Sequence, residues 1–421
     1  MSLPFPFANI SEPRLETLNA LEALHREDPS PVKANLMIGV YRDDNGNPFL
    51  LPSVKRARQK LYDSPNWTHE YPPSHLGTQD YRDLSAALFF GADSQIFRDG
   101  RIASMQCLGA SGACHMGALF LKKYYEPLKD GKSGKIYIPR ETWANHPNVF
   151  HHVGFETESL PWYSSKTNSL DIDALITGIS ALPPSSVIVL QTAGNNPTGC
   201  DPSAADWARI ADCFVAGHHL AFLDAAYPGF VTGDFEKDCE PIRIFADAGI
   251  PLLLATTYGK AFGLYGERVG TLFITMDSND SARRVEGHMK LLARAETGAQ
   301  PSFGAAIVQT ILSDRDLRRA WQEDLAHMAS ELNTRRHRLF AELQKLDGVK
   351  DWSFIRDQAG MFTYTGLDAE QITLLREEHH VYLQDTGRLS IAGLNSTNLH
   401  HVAASLHAAT RVEDSLPAAA T

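Results

Sequence analysis

Residues 251–271 read Pro-Leu-Leu-Leu-Ala-Thr-Thr-Tyr-Gly-Lys-Ala-Phe-Gly-Leu-Tyr-Gly-Glu-Arg-Val-Gly-Thr. The apolar run Leu252 to Ala255 predicts a buried strand, and it delivers two hydroxyls, a glycine and Lys260 into a turn of small residues. A lysine held there lies against packed backbone. Lost solvation lowers the pKa of such an ammonium, and the neutral amine is a nucleophile able to form a Schiff base. Taken alone the feature has a plainer reading, since a lysine after a strand is ordinarily a solvated surface group. Arg268, later in the same stretch, is a permanent cation suited to a phosphate or carboxylate, or to a surface ion pair.

Two upstream segments repeat the design. Ser186-Val-Ile-Val-Leu-Gln191 is uninterrupted and β-branched, which predicts an internal parallel strand. It empties into Thr-Ala-Gly-Asn-Asn-Pro-Thr-Gly, where Asn196 offers an amide to a ring oxygen. His219-Leu-Ala-Phe-Leu-Asp224 ends in a carboxylate, with Tyr227 just beyond. Burying that carboxylate is costly unless it meets a cation, a protonated nitrogen or a helix end. Asn196, Asp224 and Lys260 are each about one strand–helix–strand unit apart, so an α/β fold brings all three to one edge of a parallel sheet.

The other candidates lie in weaker contexts. Leu15 to Glu27 predicts an amphipathic helix with Leu15, Leu18, Leu21 and Leu24 as its stripe, and Ala34 to Arg42 a strand in which Gly39 marks either close approach to a ligand or a simple strand glycine. A helix is expected over 53–61, followed by Tyr71 in a proline-stiffened loop. The glycine-rich piece from Met105 to Gly117, with Ser111, predicts a turn opening a helix over 118–125, a place for a phosphate. Gly134 to Pro139 reads as a strand emptying toward Trp143 and His146, where an indole stacks on a planar ligand or fills core. Helices are expected over 281–294, ending at Arg294, and over 313–346. A second domain then carries 349–365 and one strand over 381–393, in which Arg388 wants a carboxylate partner from the protein or from a substrate.

At 421 residues and 43% hydrophobic content the chain can bury two cores. Its 39 Lys and Arg against 50 Asp and Glu leave a net charge of −11, which argues against nucleic acid as a partner. Five cysteines without metal-type spacing predict reduced thiols and no metal. There is no secretion signal, and no apolar run approaches the roughly 18 residues of a membrane span. A cytoplasmic protein with no membrane partner is expected.

Taken together, Asn-Asn-Pro-Thr-Gly, Asp-x-Ala-Tyr, Gly-Lys-x-Phe-Gly-Leu-Tyr-x-Glu-Arg-Val-Gly and Gly-Arg-Leu-Ser-Ile-Ala-Gly resemble the aspartate aminotransferase family, class I enzymes of fold type I that use pyridoxal 5'-phosphate. The likeness runs from about Asn35 to Ala409. It implies a mostly parallel large domain over 47–325, an N-terminal arm and part of a small domain over 1–46, and the rest of the small domain over 326–421. It implies Lys260 as the Schiff-base lysine and proton carrier, Asp224 as partner of the pyridinium nitrogen, Asn196 and Tyr227 on the phenolic oxygen, and Trp143 stacked on the ring. Ala110, Ser111, Thr257, Arg268 and a neighbouring subunit's Tyr71 fall on phosphate-binding positions. Gly39, Trp143 and Asn196 fall beside the substrate, Arg388 on the clamp for its α-carboxylate, and Arg294 on the clamp that reads a distal carboxylate across a homodimer interface. An amino group would pass between an amino acid such as aspartate and the 2-oxo acid 2-oxoglutarate.

Several residues depart from the family pattern. Gly259 replaces a serine, Ser111 a threonine, Gln191 and Asn195 histidines behind Asp224, Glu70 a neutral residue, and the loop after Arg294 differs. They leave a second expectation: an aromatic or specialised-metabolite enzyme on the same fold, whether aminotransferase, lyase, decarboxylase or cyclase.

Overall fold

The computed structural model describes residues 7, 10–12, 17–128, 134–348 and 350–411. Leu15, Val349, the proline-rich start and the tail after 411 lie outside them.

A seven-stranded sheet organises the molecule. Its strands are β1 (Ile102–Leu108), β2 (Lys135–Pro139), β3 (Glu156–Leu160), β4 (Val187–Gln191), β5 (Leu220–Ala225), β6 (Leu252–Thr256) and β7 (Val269–Thr275), in the order β1-β7-β6-β5-β4-β2-β3. β7 runs antiparallel to both its neighbours, and the other pairings are parallel. Every residue of β4, β5 and β6 is buried, as their unbroken apolar sequences require of strands covered on both faces. The register sets Gln191 opposite Asp224 and Asp224 opposite Ala255. The carboxyl ends of the three strands are therefore level, the edge at which open α/β sheets bind ligands.

The glycine-rich piece after β1 is not a turn: one helix runs Gly109–Tyr124. Only Gly109 is left-handed, at φ +68°. Gly117 sits against the sheet, where a Cβ would lie 2.7 Å from Phe222 Cζ. Its glycine serves close helix-to-sheet packing, a need that local sequence does not display.

Three other expectations are corrected and one is met. Within 34–42 only Ala34–Asn35 forms a strand, beside Val381–Tyr382, with a lone bridge from Arg42 to Pro48, because the carbonyls of Met37, Ile38 and Gly39 accept from the side chains of Arg388, Ser390 and Lys260 instead of a neighbouring strand. The 381–393 strand breaks into Val381–Tyr382 and Arg388–Ser390 around Gly387 at φ +83°, and Arg388–Ser390 pairs with Phe362–Tyr364. The helix expected over 313–346 is present as Arg315–Gln344, its start fixed by Asp314, whose carboxylate accepts from the N–H groups of Asp316 and Leu317; a separate helix, Ser302–Ser313, precedes it. In the helix Thr17–Glu27, Leu21 is buried but Leu24 is 50% exposed, since a three-residue spacing drifts around a 3.6-residue helix.

Two glycine substitutions test this packing. Gly117→Ala should lower stability by about 1–3 kcal/mol through overpacking on Phe222. Gly287→Ala, in the helix Asn279–Glu296 with open space around it, should raise stability by about 0.5–1 kcal/mol. Urea midpoints moving in the same direction would contradict the assignment.

Candidate active site

The turn after β6 holds Lys260 with its Nζ turned inward, donating to Gly39 O at 2.6 Å. Tyr265 and Tyr227 present their rings at 5.0 and 5.7 Å. Burial, then the charges of Arg388 and Arg268, lower its pKa to about 8. Gly39 is where the chain comes closest to the site: a Cβ there would lie 2.7 Å from Phe362 Cζ and 3.5 Å from the Tyr227 hydroxyl.

Asp224 closes β5 and is 2% exposed. Its Oδ2 lies 3.0 Å from His146 Nε2, and His146 Nδ1 lies 2.8 Å from Thr142 Oγ1. Its Oδ1 is buried with no hydrogen-bond partner among the described residues. An orphaned carboxylate oxygen facing a cavity is a demand for a donor, best met by a protonated nitrogen.

Asn196 is fixed from two sides. Gln191 accepts from its N–H and donates to its carbonyl, both at 3.0 Å, and also reaches Thr142 at 3.3 Å. Gln191 thus belongs to a run of contacts leading through Thr142 and His146 to Asp224. Asp201 accepts from the N–H groups of Gly194 and Asn195 at 2.6 and 2.9 Å, and its burial pushes its pKa up to about 6. Asn196 Oδ1 accepts from Arg388 at 2.9 Å.

Arg388 is buried, and burial lowers its pKa to about 10. Its guanidinium lies 4.2 Å from the Phe362 ring centroid and donates to Asn196 and Met37 O, while Nε has no partner. The expected carboxylate partner is absent among the described residues. A buried guanidinium held by neutral oxygens has capacity left for an anion.

A second cation site lies at the start of the helix Gly109–Tyr124. Arg268, itself at φ +51°, donates to Tyr265 O at 3.2 Å and Leu108 O at 3.4 Å. A Cβ on Gly109 would stand 2.7 Å from its Nη2, so glycine is what admits the guanidinium to the helix end. Ser111, Thr257 and the helix N-terminus surround the same space, a combination suited to a phosphate.

Ala110, Ser111, Trp143, Asn196, Asp224, Tyr227, Thr257, Lys260 and Arg268 line one cavity. An adjoining cavity shares Trp143, Asn196, Tyr227 and Lys260 and adds Gly39 and Arg388. Tyr71 and Arg294 line neither; both are exposed in the single chain. His146, Thr142 and Tyr265 complete the site without having been assigned to it from sequence. His146 lies one helical turn from Trp143, and Tyr265 lies within the lysine motif, where its hydroxyl accepts from Tyr41 N at 3.0 Å.

Residues 31–406 match the family described as aminotransferase class I and II. The chain is 38% identical to the aspartate aminotransferase, cytoplasmic, of Oryza sativa subsp. japonica, over 96% of this chain and 97% of that protein. It superposes on the aspartate aminotransferase from Saccharomyces cerevisiae cytoplasm with a TM-score of 0.92 and 33% identity, covering 97% of this chain and 99% of that one. An aromatic-amino-acid aminotransferase from Burkholderia pseudomallei covalently bound to pyridoxal phosphate gives a TM-score of 0.92 and 33% identity, covering 97% and 100%. With the family model spanning nearly the whole chain, and Lys260, Asp224 and Arg268 meeting in one cavity that adjoins the cavity of Arg388, this protein belongs to the class I and II aminotransferases.

Proposed function

We propose that this chain is a pyridoxal 5'-phosphate-dependent aspartate aminotransferase, exchanging an amino group between aspartate or glutamate and 2-oxo acids including 2-oxoglutarate. The observation that carries the reading is the pairing, in one cavity, of a lysine with a pKa of about 8 and a buried carboxylate with an unpartnered oxygen. The residues present fit the cofactor: Asp224 Oδ1 lacks the donor that a protonated ring nitrogen supplies, and the Gly109–Arg268 cradle suits the phosphate. When bound, the cofactor supplies an aldehyde carbon and a ring that accepts electrons from the substrate Cα.

The chain's own residues do the rest. Lys260 Nζ is the amine that holds the aldehyde carbon and, once released, moves the proton at the substrate Cα. Asp224 holds the proton on the ring nitrogen, with His146 and Thr142 fixing the carboxylate. Asn196 and Tyr227 orient the ring through its phenolic oxygen, and Trp143 covers its face. Arg388 Nε and its Nη groups orient the α-carboxylate. In our reading Tyr71 and Arg294 serve the site of a second copy, so the working unit is a homodimer; their exposure in the single chain supports this.

We further take 47–325 as the cofactor-binding domain, with 1–46 and 326–421 forming the smaller one. The cytoplasm is the compartment we favour, on five free cysteines. No helix among the described residues is long and apolar enough to cross a membrane. Nothing in the cavity favours the lyase, decarboxylase or cyclase chemistries.

Borohydride treatment after adding pyridoxal 5'-phosphate should fix one cofactor mass on the Lys260 peptide, and Lys260→Ala should carry none. An adduct of equal yield in Lys260→Ala would sink the reading. The capture rate follows the neutral amine, so it should rise about tenfold from pH 7 to 9 and then flatten; an ordinary lysine would keep gaining toward pH 10. Arg388→Ala should cut kcat/KM for every amino acid by about a hundredfold. Arg294→Ala should instead penalise aspartate far more than phenylalanine, and equal losses for both would remove Arg294 as the distal clamp.

A further inference from the structure

Cys114 plays no part in the function proposed above, yet it stands beside the site's central carboxylate. It lies one helical turn past Ala110, on the same face of the helix Gly109–Tyr124. Its Sγ, a ring nitrogen of His146 and a carboxylate oxygen of Asp224 all lie within 4.8 Å of one another, and all three residues are buried. The three come from two helices and a strand, so no sequence spacing announces them.

We propose that Cys114, His146 and Asp224 form a site for a borderline-soft divalent cation, with Zn²⁺ as the best fit, occupied when the pyridine ring is absent. Sulfur, imidazole nitrogen and carboxylate oxygen are the donors that zinc takes. At bond lengths of about 2.0–2.3 Å, tetrahedral ligands stand about 3.3–3.8 Å apart, so the widest separation in the cluster needs to shorten by up to roughly 1.5 Å, while His146 Nε2 and Asp224 Oδ2, now 3.0 Å apart, need to open slightly. A thiolate and a carboxylate together neutralise a divalent ion, which removes the charge cost of burying it. Thr142 Oγ1, 2.8 Å from His146 Nδ1, can accept a hydrogen bond from Nδ1–H and so leave the Nε2 lone pair for the metal. The unpartnered Asp224 Oδ1 is the independent sign that this buried group lacks a ligand. Asp224 also lines the cavity, which leaves a fourth position for water.

A metal that takes Asp224 Oδ1 removes the oxygen left for the ring nitrogen, so metal and cofactor compete for that atom. That competition rests on the proposed cofactor reading; metal binding by itself does not.

The test is a Co²⁺ titration of the full chain, with and without saturating pyridoxal 5'-phosphate. Thiolate ligation gives an intense near-ultraviolet charge-transfer band. We expect the band in the cofactor-free chain, its displacement by Zn²⁺, and its suppression by the cofactor. Cys114→Ser, checked for native circular dichroism, should lose the band, and His146→Gln should bind at least tenfold more weakly. No band, or a band undiminished in Cys114→Ser, overturns the site, and a band that persists with cofactor bound overturns the competition. Should Cys114→Ser not fold, anomalous diffraction at the zinc edge from wild-type crystals decides, and zinc anywhere but among these side chains counts against the proposal. Failure of the chain to take up pyridoxal 5'-phosphate would count against the function and leave the cobalt result to judge the metal site.

Discussion

Burying one carboxylate at the end of β5 is the constraint on which the rest of the site depends. Asp224 sits where its strand is flanked on both sides by parallel partners, and its side chain is withdrawn from the surface. Leaving such a group unpaired costs several kcal/mol. The fold answers on one oxygen only, through His146, which is itself held by Thr142 and through it by Gln191. That arrangement orients the carboxylate while keeping its other oxygen available, a state tolerable in a ligand-binding protein because the ligand completes it.

The same edge is sealed from the far side by the chain's beginning. Met37, Ile38 and Gly39 lend their carbonyls to Arg388, Ser390 and Lys260, so an extended segment that forms almost no sheet ties the lysine turn to the strand Arg388–Ser390. A residue larger than glycine at position 39 would drive into Phe362, the ring on which the Arg388 guanidinium rests. Substrate-binding and cofactor-binding groups are thus coupled through backbone atoms rather than through paired charges.

How much of this the sequence discloses follows from the range of the forces involved. β4, β5 and β6 are legible because burial on both faces leaves an unbroken apolar run, and the terminal residues Asn196, Asp224 and Lys260 follow from that pattern. The break at Gly387 is harder, since a left-handed glycine is one residue in an otherwise continuous periodic stretch. Two glycines of the Gly109–Tyr124 helix misled for a related reason: the cause of Gly117 is a sheet residue, Phe222, and that of Gly109 is Arg268, both far away in sequence. His146 escaped assignment because a histidine gains meaning only from the carboxylate it meets. Tyr71 and Arg294 are exposed here, and no property of a single chain fixes what they face.

The charges of the cavity run opposite to those of the molecule. A protein of net charge −11 gathers Lys260, Arg268 and Arg388 around a single carboxylate. After burial, the two arginine charges are what lower the lysine pKa. On the proposed reading, the cofactor phosphate offsets Arg268 and the substrate carboxylate offsets Arg388. Each arriving anion therefore removes part of the cause of the depression. The amine of Lys260 is therefore most easily kept neutral while the arginines are bare, and its basicity would rise as each is offset. The same two cations proposed to recognise the ligands thereby also bear on the protonation of the amine.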